Sequence, residues 1–261
     1  MIHFSMRRSV DGVLGRCGER RGTRLEARAA EPGDGPAPGT SCRWRPSCFD
    51  PGTVAVSSMV EVARAGVRQL IVSSRRLGMR DAVRRGAAGC LRPHRFTLLV
   101  CPLAGARRRV SPLPGITVDV WDREQLRRWR RGRRDLPLDF FVDEIHGTRA
   151  CVVARVGDEP AGIVWLYAPG DYRLFDLRDG AAEVNHALVL PPFRRRGLCA
   201  AMLVRAQSAA RAAGAARVYA AVHAANAPSR RAFESVGFRE VTTVRHFLLF
   251  RPRHDTGRAP A

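Results

Sequence analysis

Val189-Leu-Pro-Pro-Phe-Arg194-Arg-Arg-Gly197-Leu-Cys-Ala-Ala-Met-Leu203 joins the end of an apolar strand to the start of a helix through a basic turn. Pro191-Pro192 cannot continue a hydrogen-bonded ladder, so the strand read from Glu183 to Leu190 stops there. Gly197 to Ala213 is rich in alanine and leucine, the best helix formers, and Gly214 stands where a C-terminal cap is wanted. A helix entered in this way starts with backbone N–H groups that have no partner within it. It also presents the positive end of its dipole, here beside Arg194, Arg195 and Arg196. That combination suits a pyrophosphate. Gly197 has a physical reason, because a side chain there would hold the phosphates off the backbone. Taken alone, the segment could also be a basic turn capping an alanine-rich helix.

Around this junction the chain alternates strands and helices. Ile116–Val120 reads as a strand, and Asp122 can cap a helix running to about Arg131. Arg149–Val156 and Ala161–Tyr167 read as strands separated by the turn Gly157-Asp-Glu-Pro160. After the alanine-rich helix come a strand at Val218–Val222, a short helix at Pro228–Val236 stopped by Gly237, and a strand at Val241–Phe250. Upstream, Met59 opens an amphipathic pattern (Val60, Val62, Ala63, Val67, Leu70, Ile71), followed by a short helix near Met79–Arg85 and a strand near Phe96–Cys101. Residues 1–58 mix Arg, Gly and Pro without an apolar period and read as a disordered, low-complexity N-terminus. Met59 is a candidate native start alongside Met1. The organisation is therefore 1–58, a basic helix and strand extension over 59–112, an α/β domain over 113–252, and a tail over 253–261.

Composition narrows the classes. The formal charge of +21 is carried wholly by arginine, since the chain contains no lysine. Arginine everywhere points to compositional bias and lowers the weight of any single one as a signal. The excess peaks over residues 59–136, with 19 arginines against 6 acidic residues, and such a segment attracts polyanions. No stretch approaches the roughly 20 apolar residues of a membrane span, and Met1–Cys17 lacks the pattern of a secretory signal, which makes the cytoplasm the expected location. The seven cysteines are odd in number and lack zinc-ligand spacing, so they read as ordinary thiols; Cys42 and Cys48, close together, could bridge or bind a metal.

The junction resembles the coenzyme A motif of the GNAT N-acetyltransferase superfamily, (Arg/Gln)-x-x-Gly-x-(Gly/Ala) after a strand ending Val-x-Pro. Arg194, Gly197 and Cys199 fill its three positions, cysteine being the departure. Asn226-Ala-Pro-Ser229-Arg-Arg-Ala-Phe233-Glu-Ser-Val-Gly237-Phe238 is similar to the superfamily's second signature. The resemblance covers residues 113–252, most clearly after Glu183. It implies the acyl-CoA N-acyltransferase fold: a mixed, mostly antiparallel sheet splayed between its fourth and fifth strands, with helices on both faces. It implies acetyl-CoA as co-substrate and no metal. Leu188, Val189 and Leu190 would pair with pantetheine, with a backbone N–H in this strand placed to stabilise an oxyanion. Arg194, Arg195, Arg196, Gly197, Leu198, Cys199 and Ala200 would hold the pyrophosphate, and Asn226, Ser229 and Phe233 would lie nearer the pantetheine arm.

Acetyl transfer needs a neutral amine, whereas an alkyl ammonium has a pKa of about 10, so a proton acceptor is required. Glu183 is the first candidate, in the strand leading to the loop, near the place where histone-acetylating members carry a base glutamate. Asn185 and His186 are alternatives, and strand alternation puts Asn185 on the side of Glu183 and His186 on the other. The superfamily's usual proton donor is a tyrosine at the position of Phe233, with Tyr167 and Tyr172 as substitutes. The function implied is acetyl transfer to a primary amine of a small molecule or peptide. A CoA-binding domain without catalysis is one alternative. A nucleic-acid-binding protein using arginines 127, 128, 130, 131, 133 and 134 around Trp129 is another.

Overall fold

The valine-rich, period-two segments between residues 116 and 246 are long enough for strands and too apolar to stay in water, and they meet in one sheet. The computed structural model describes residues 59–91, 94–104, 114–133, 135–168, 171, 181–246 and 253–254. The readings made for 1–58, Cys42, Cys48, Arg134, Tyr172, 247–252 and 255–261 lie outside them. In chain order the strands are β1 (His94–Pro102), β2 (Ile116–Asp122), β3 (Ala150–Val156), β4 (Glu159–Tyr167), β5 (Ala181–Val189), β6 (Arg217–His223), β7 (Arg239–His246) and β8 (Arg253–His254). The helices are α1 (Met59–Leu77), α2 (Met79–Leu91), α3 (Arg123–Trp129), α4 (Val142–His146), α5 (Leu198–Ala212) and α6 (Ala227–Ser235).

Strand order is β2-β3-β4-β5-β6-β1-β7-β8. Every neighbouring pair is antiparallel except β5 and β6, which run parallel. A parallel pair needs a long crossover, and α5 supplies it. Counted from β2, β5 and β6 are the fourth and fifth strands of the 113–252 segment. The strand read near Phe96–Cys101 is β1, and it lies inside the sheet between β6 and β7, with Phe96 opposite His223 and Val244. Those partners lie far along the chain, beyond the reach of a local pattern.

Two apolar layers follow from alternation. Val152, Ala154, Val164, Leu166, Ala182 and Val184 face α5 through Leu198, Met202, Leu203 and Ala206. Cys151, Val153, Ile163, Trp165 and Tyr167 face the opposite way, against Leu126 of α3, Val142 and Ile145 of α4 and Val72 of α1. Helices therefore cover both faces. α3 starts where Asp122 predicted it, in a reciprocal capping box with Gln125. The turn after β3 is shorter than its sequence suggested: β4 begins at Glu159, and Pro160 is accommodated at the strand's start beside a register shift at Arg155. Neither α4 nor the 3₁₀ turn Leu138–Phe141 before it shows a sequence period. They are held by tertiary contacts, including the hydrogen bond from Trp165 Nε1 to the Asp139 carbonyl, 2.6 Å.

Gly162 of β4 lies beneath Met202 of α5. A Cβ there would lie 2.7 Å from the Leu188 carbonyl oxygen and 2.9 Å from Met202 Cε. Its absence lets β4, β5 and α5 pack at this distance.

Candidate active site

The pairing of β5 with β6 is short. It runs from Ala181 opposite Arg217 to Glu183 opposite Tyr219 and stops, while β5 continues along β4 to Val189. From Val184 onward β5 has a ladder on its β4 side alone, and β6 continues against β1. The sheet therefore forks at Glu183, leaving a gap bordered by the free edge of β5. Leu190 donates its N–H to the Ala161 carbonyl (2.9 Å), and its own carbonyl accepts from Phe193 N–H (3.0 Å). The Leu188 carbonyl lies toward Gly162. Because successive residues of a strand direct their backbone groups to opposite edges, Val189 is the residue of these three that faces the gap. Its carbonyl accepts from Arg194 Nε at 3.0 Å.

At the end of this edge the loop turns into α5. Arg195 (φ 62°) and Gly197 (φ 77°) are both left-handed, a backbone of the kind that turns successive N–H groups into an anion-binding concavity. No side chain caps α5, so the N–H groups of Leu198, Cys199 and Ala200 open its positive end. Arg194, Arg195 and Arg196 are exposed around it. Nothing stands within 4 Å of where a Gly197 Cβ would be, so the approach to the helix start is clear. These features fit a pyrophosphate. Burial pushes the Cys199 thiol up to about 11, which makes it a neutral small side chain at the third motif position.

At the second signature, Asn226 caps α6, its side-chain oxygen accepting from Ser229 N–H at 3.2 Å. Asn226 and Ser229 are thus brought together, with that oxygen engaged in the cap. Phe233 is 2% exposed and packs edge-to-face on Phe238, with ring centroids 5.0 Å apart.

Glu183 is 3% exposed and lies opposite Tyr167 of β4, on the face covered by α3 and α4. Asn185 Nδ2 donates to Glu183 Oε1 at 3.0 Å, so these two share a side as alternation predicted. His186 departs from its predicted side. Between Asn185 and Leu188 the register against β4 shifts, and His186 takes a left-handed φ of 50°. A β-bulge re-aims a side chain in this way. The ring of His186 lies 5.2 Å from that of His146 and 6.4 Å from that of Tyr167, on the Glu183 side. His146 Nδ1 in turn sits 3.0 Å from the Tyr167 hydroxyl. Tyr219, opposite Glu183 on β6, shares this face, because Val218, Ala220 and Val222 face α5.

Sequence reading did not name His146 or Tyr219. The one local signal for His146 is its place at the end of a helix followed by Gly147 (φ 79°). Its position depends on Asp143, fully buried in α4, which takes Arg130 through both carboxylate oxygens (2.7 and 3.0 Å) and also pairs with Arg123 (3.5 Å) and Arg127 (3.4 Å). Arg133 pairs with Asp158. Three arginines of the 127–134 cluster, Arg127, Arg130 and Arg133, are therefore paired within the chain. No described helix is long and apolar enough to cross a membrane.

Residues 117–238 match the model of the acetyltransferase (GNAT) family. Among solved structures, the chain is similar to a GNAT-family protein of Novosphingobium aromaticivorans, at 19% identity over 59% of this chain and 62% of that one, with a TM-score of 0.42. It is also similar to a GCN5-related N-acetyltransferase of Kribbella flavida, at 21% identity over 57% and 55%, with a TM-score of 0.39. A third is the aminoglycoside N-acetyltransferase AAC(6')-Iy in complex with CoA, at 19% identity over 51% and 93%, with a TM-score of 0.39. The chain spans less than two thirds of the first two structures. No curated protein matches it.

Proposed function

Residues 117–238 form a domain of the GNAT acetyltransferase superfamily, and from that premise we propose that the chain transfers acetyl from acetyl-CoA to a primary amine of a small molecule or peptide. The observation that carries this reading is the fork at Glu183, whose free β5 edge leads directly to the uncapped, arginine-ringed start of α5. The backbone of Val189, the loop Arg194–Gly197 and the first N–H groups of α5 would hold the cofactor, which supplies an activated acetyl thioester. A carboxylate lies at the fork itself. Glu183, oriented by Asn185, takes the ammonium proton, through water because it is buried.

Replacing Glu183 by Gln keeps the shape and the bond to Asn185 while removing basicity. Turnover at saturating amine should fall by roughly 10²–10⁴, the usual contribution of general base catalysis, with CoA affinity unchanged because the loop is untouched. Full turnover by this variant from pH 6 to 9 would refute the role of Glu183. One observation favours a second reading, a CoA-binding domain without catalysis: Phe233, buried in the core, has no proton to give. Tight CoA binding without acetylation of any amine in a broad panel would establish it.

A further inference from the structure

The site described so far has a proton acceptor for the amine and no donor for the departing sulfur. Between the fork and the loop β5 runs six residues, Val184 to Val189, about 20 Å of strand. A pantetheine arm anchored by its pyrophosphate at the loop and extended along this edge would span much of that length. Its sulfur end would then lie toward the fork. His186 is the residue the chain bends out of regular geometry at this level: a left-handed φ at a non-glycine residue, inside a strand, costs energy that the surroundings must supply. The bulge puts a half-buried imidazole of the strand that borders the gap on the face of Glu183, with the hydrogen-bonded pair His146 and Tyr167 against it.

We propose that His186 is the proton donor to the CoA sulfur, and that Tyr167 and His146 are the residues that position its ring. The proposal rests on the cofactor reading above. The amine nitrogen, its proton taken by Glu183, bonds to the acetyl carbon. The carbon–sulfur bond breaks with its electron pair going to sulfur, and the His186 imidazolium transfers one proton to that sulfur. One proton has left the amine and one has reached the thiol. An imidazolium is in general a stronger acid than an alkyl thiol, which gives the transfer its direction. The rings of His146 of α4 and Tyr167 of β4 lie beside His186, and the register of β5 against β6 puts Glu183 and Tyr219 on the same side of the sheet. Arg68 of α1 reaches the neighbouring Gly147, its Nη1 3.9 Å from where a Cβ would stand.

The test uses the full chain and two readouts. Asparagine and glycine both tolerate the left-handed backbone, so His186→Asn and His186→Gly remove the imidazole and keep the bulge. In calorimetry near pH 6.5, the wild type should bind CoA about 10-fold or more tightly than desulfo-CoA, as a charge-assisted hydrogen bond to sulfur would give. Both variants should lose that preference and keep the affinity for desulfo-CoA. Release of CoA from acetyl-CoA, with the best amine of a panel or with water as acceptor, should decline on the alkaline side in the wild type. The variants should turn over roughly 10²–10⁴ slower without that limb, and Tyr167→Phe should displace its midpoint. Equal CoA preference in wild type and His186→Asn would overturn the proposal while leaving the cofactor reading intact. So would an alkaline limb that survives His186→Asn and disappears in Tyr219→Phe. Failure of the wild type to bind desulfo-CoA would remove the cofactor reading and this proposal with it.

Discussion

Gly162→Ala tests the link between core packing and the free edge of β5 at which CoA is proposed to bind. The added Cβ would stand 2.7 Å from the Leu188 carbonyl oxygen and 2.9 Å from Met202 Cε. The methionine methyl is the end of a flexible side chain and can turn aside. The carbonyl belongs to β5 and can move only if the strand moves. Overpacking of this kind costs about 1–3 kcal/mol. At roughly 2–4 °C per kcal/mol for a domain of this size, the melting temperature should fall by roughly 2–12 °C. The displacement acts on the residue next to Val189, whose carbonyl holds Arg194, so CoA affinity should fall as well. Thermal unfolding and calorimetric CoA binding measure the two effects. Repeating the substitution in a Met202→Ala background, itself destabilised by the core cavity, separates the contacts: the further fall in melting temperature caused by Gly162→Ala should be smaller there, and the fall in affinity unchanged. A Gly162→Ala protein melting within about 1 °C of wild type and binding CoA equally would refute the reasoning.

Gly197→Ala adds a Cβ on a left-handed backbone facing open space, so it should cost about 1–2 kcal/mol of stability and weaken CoA modestly, whereas Gly197→Glu should abolish binding. Equal CoA affinity of the two in calorimetry would remove the loop as the anion site. Asp143→Ala leaves the guanidinium of Arg130 buried without its bidentate partner and should destabilise by about 3–5 kcal/mol in urea unfolding, less when Arg130→Met is added. Burial and the nearby His94 hold His223 below the usual histidine range, and its Nδ1 accepts from Ala225 N–H at 3.2 Å, which requires the neutral ring. The unfolded chain then binds more protons than the native one, so the melting temperature should decline as pH falls below about 6.5, and His223→Gln should flatten that slope.

The strand, turn and helix of the candidate site were legible from sequence because their information is local. Proline ends β5, alanine and leucine build α5, and Gly197 with three arginines shapes the turn between them, all within fifteen residues. The strand and helix order, the capping box at Asp122 and the common side of Glu183 and Asn185 follow from periods of two and 3.6 in the same way. Other features depend on partners distant in the chain. β1 reads as part of an extension, yet it pairs on both sides with strands more than a hundred residues later. α4 has too few residues for a period, and its histidine reaches Tyr167 because Asp143 is locked by arginines of and beside α3. The clearest case is His186. Alternation assigns it to the far side, and a single register shift against β4 carries it to the near one. A bulge is settled by how two strands and the helix behind them fit together, and that fit exists only after β4, β5 and α5 have packed around Gly162.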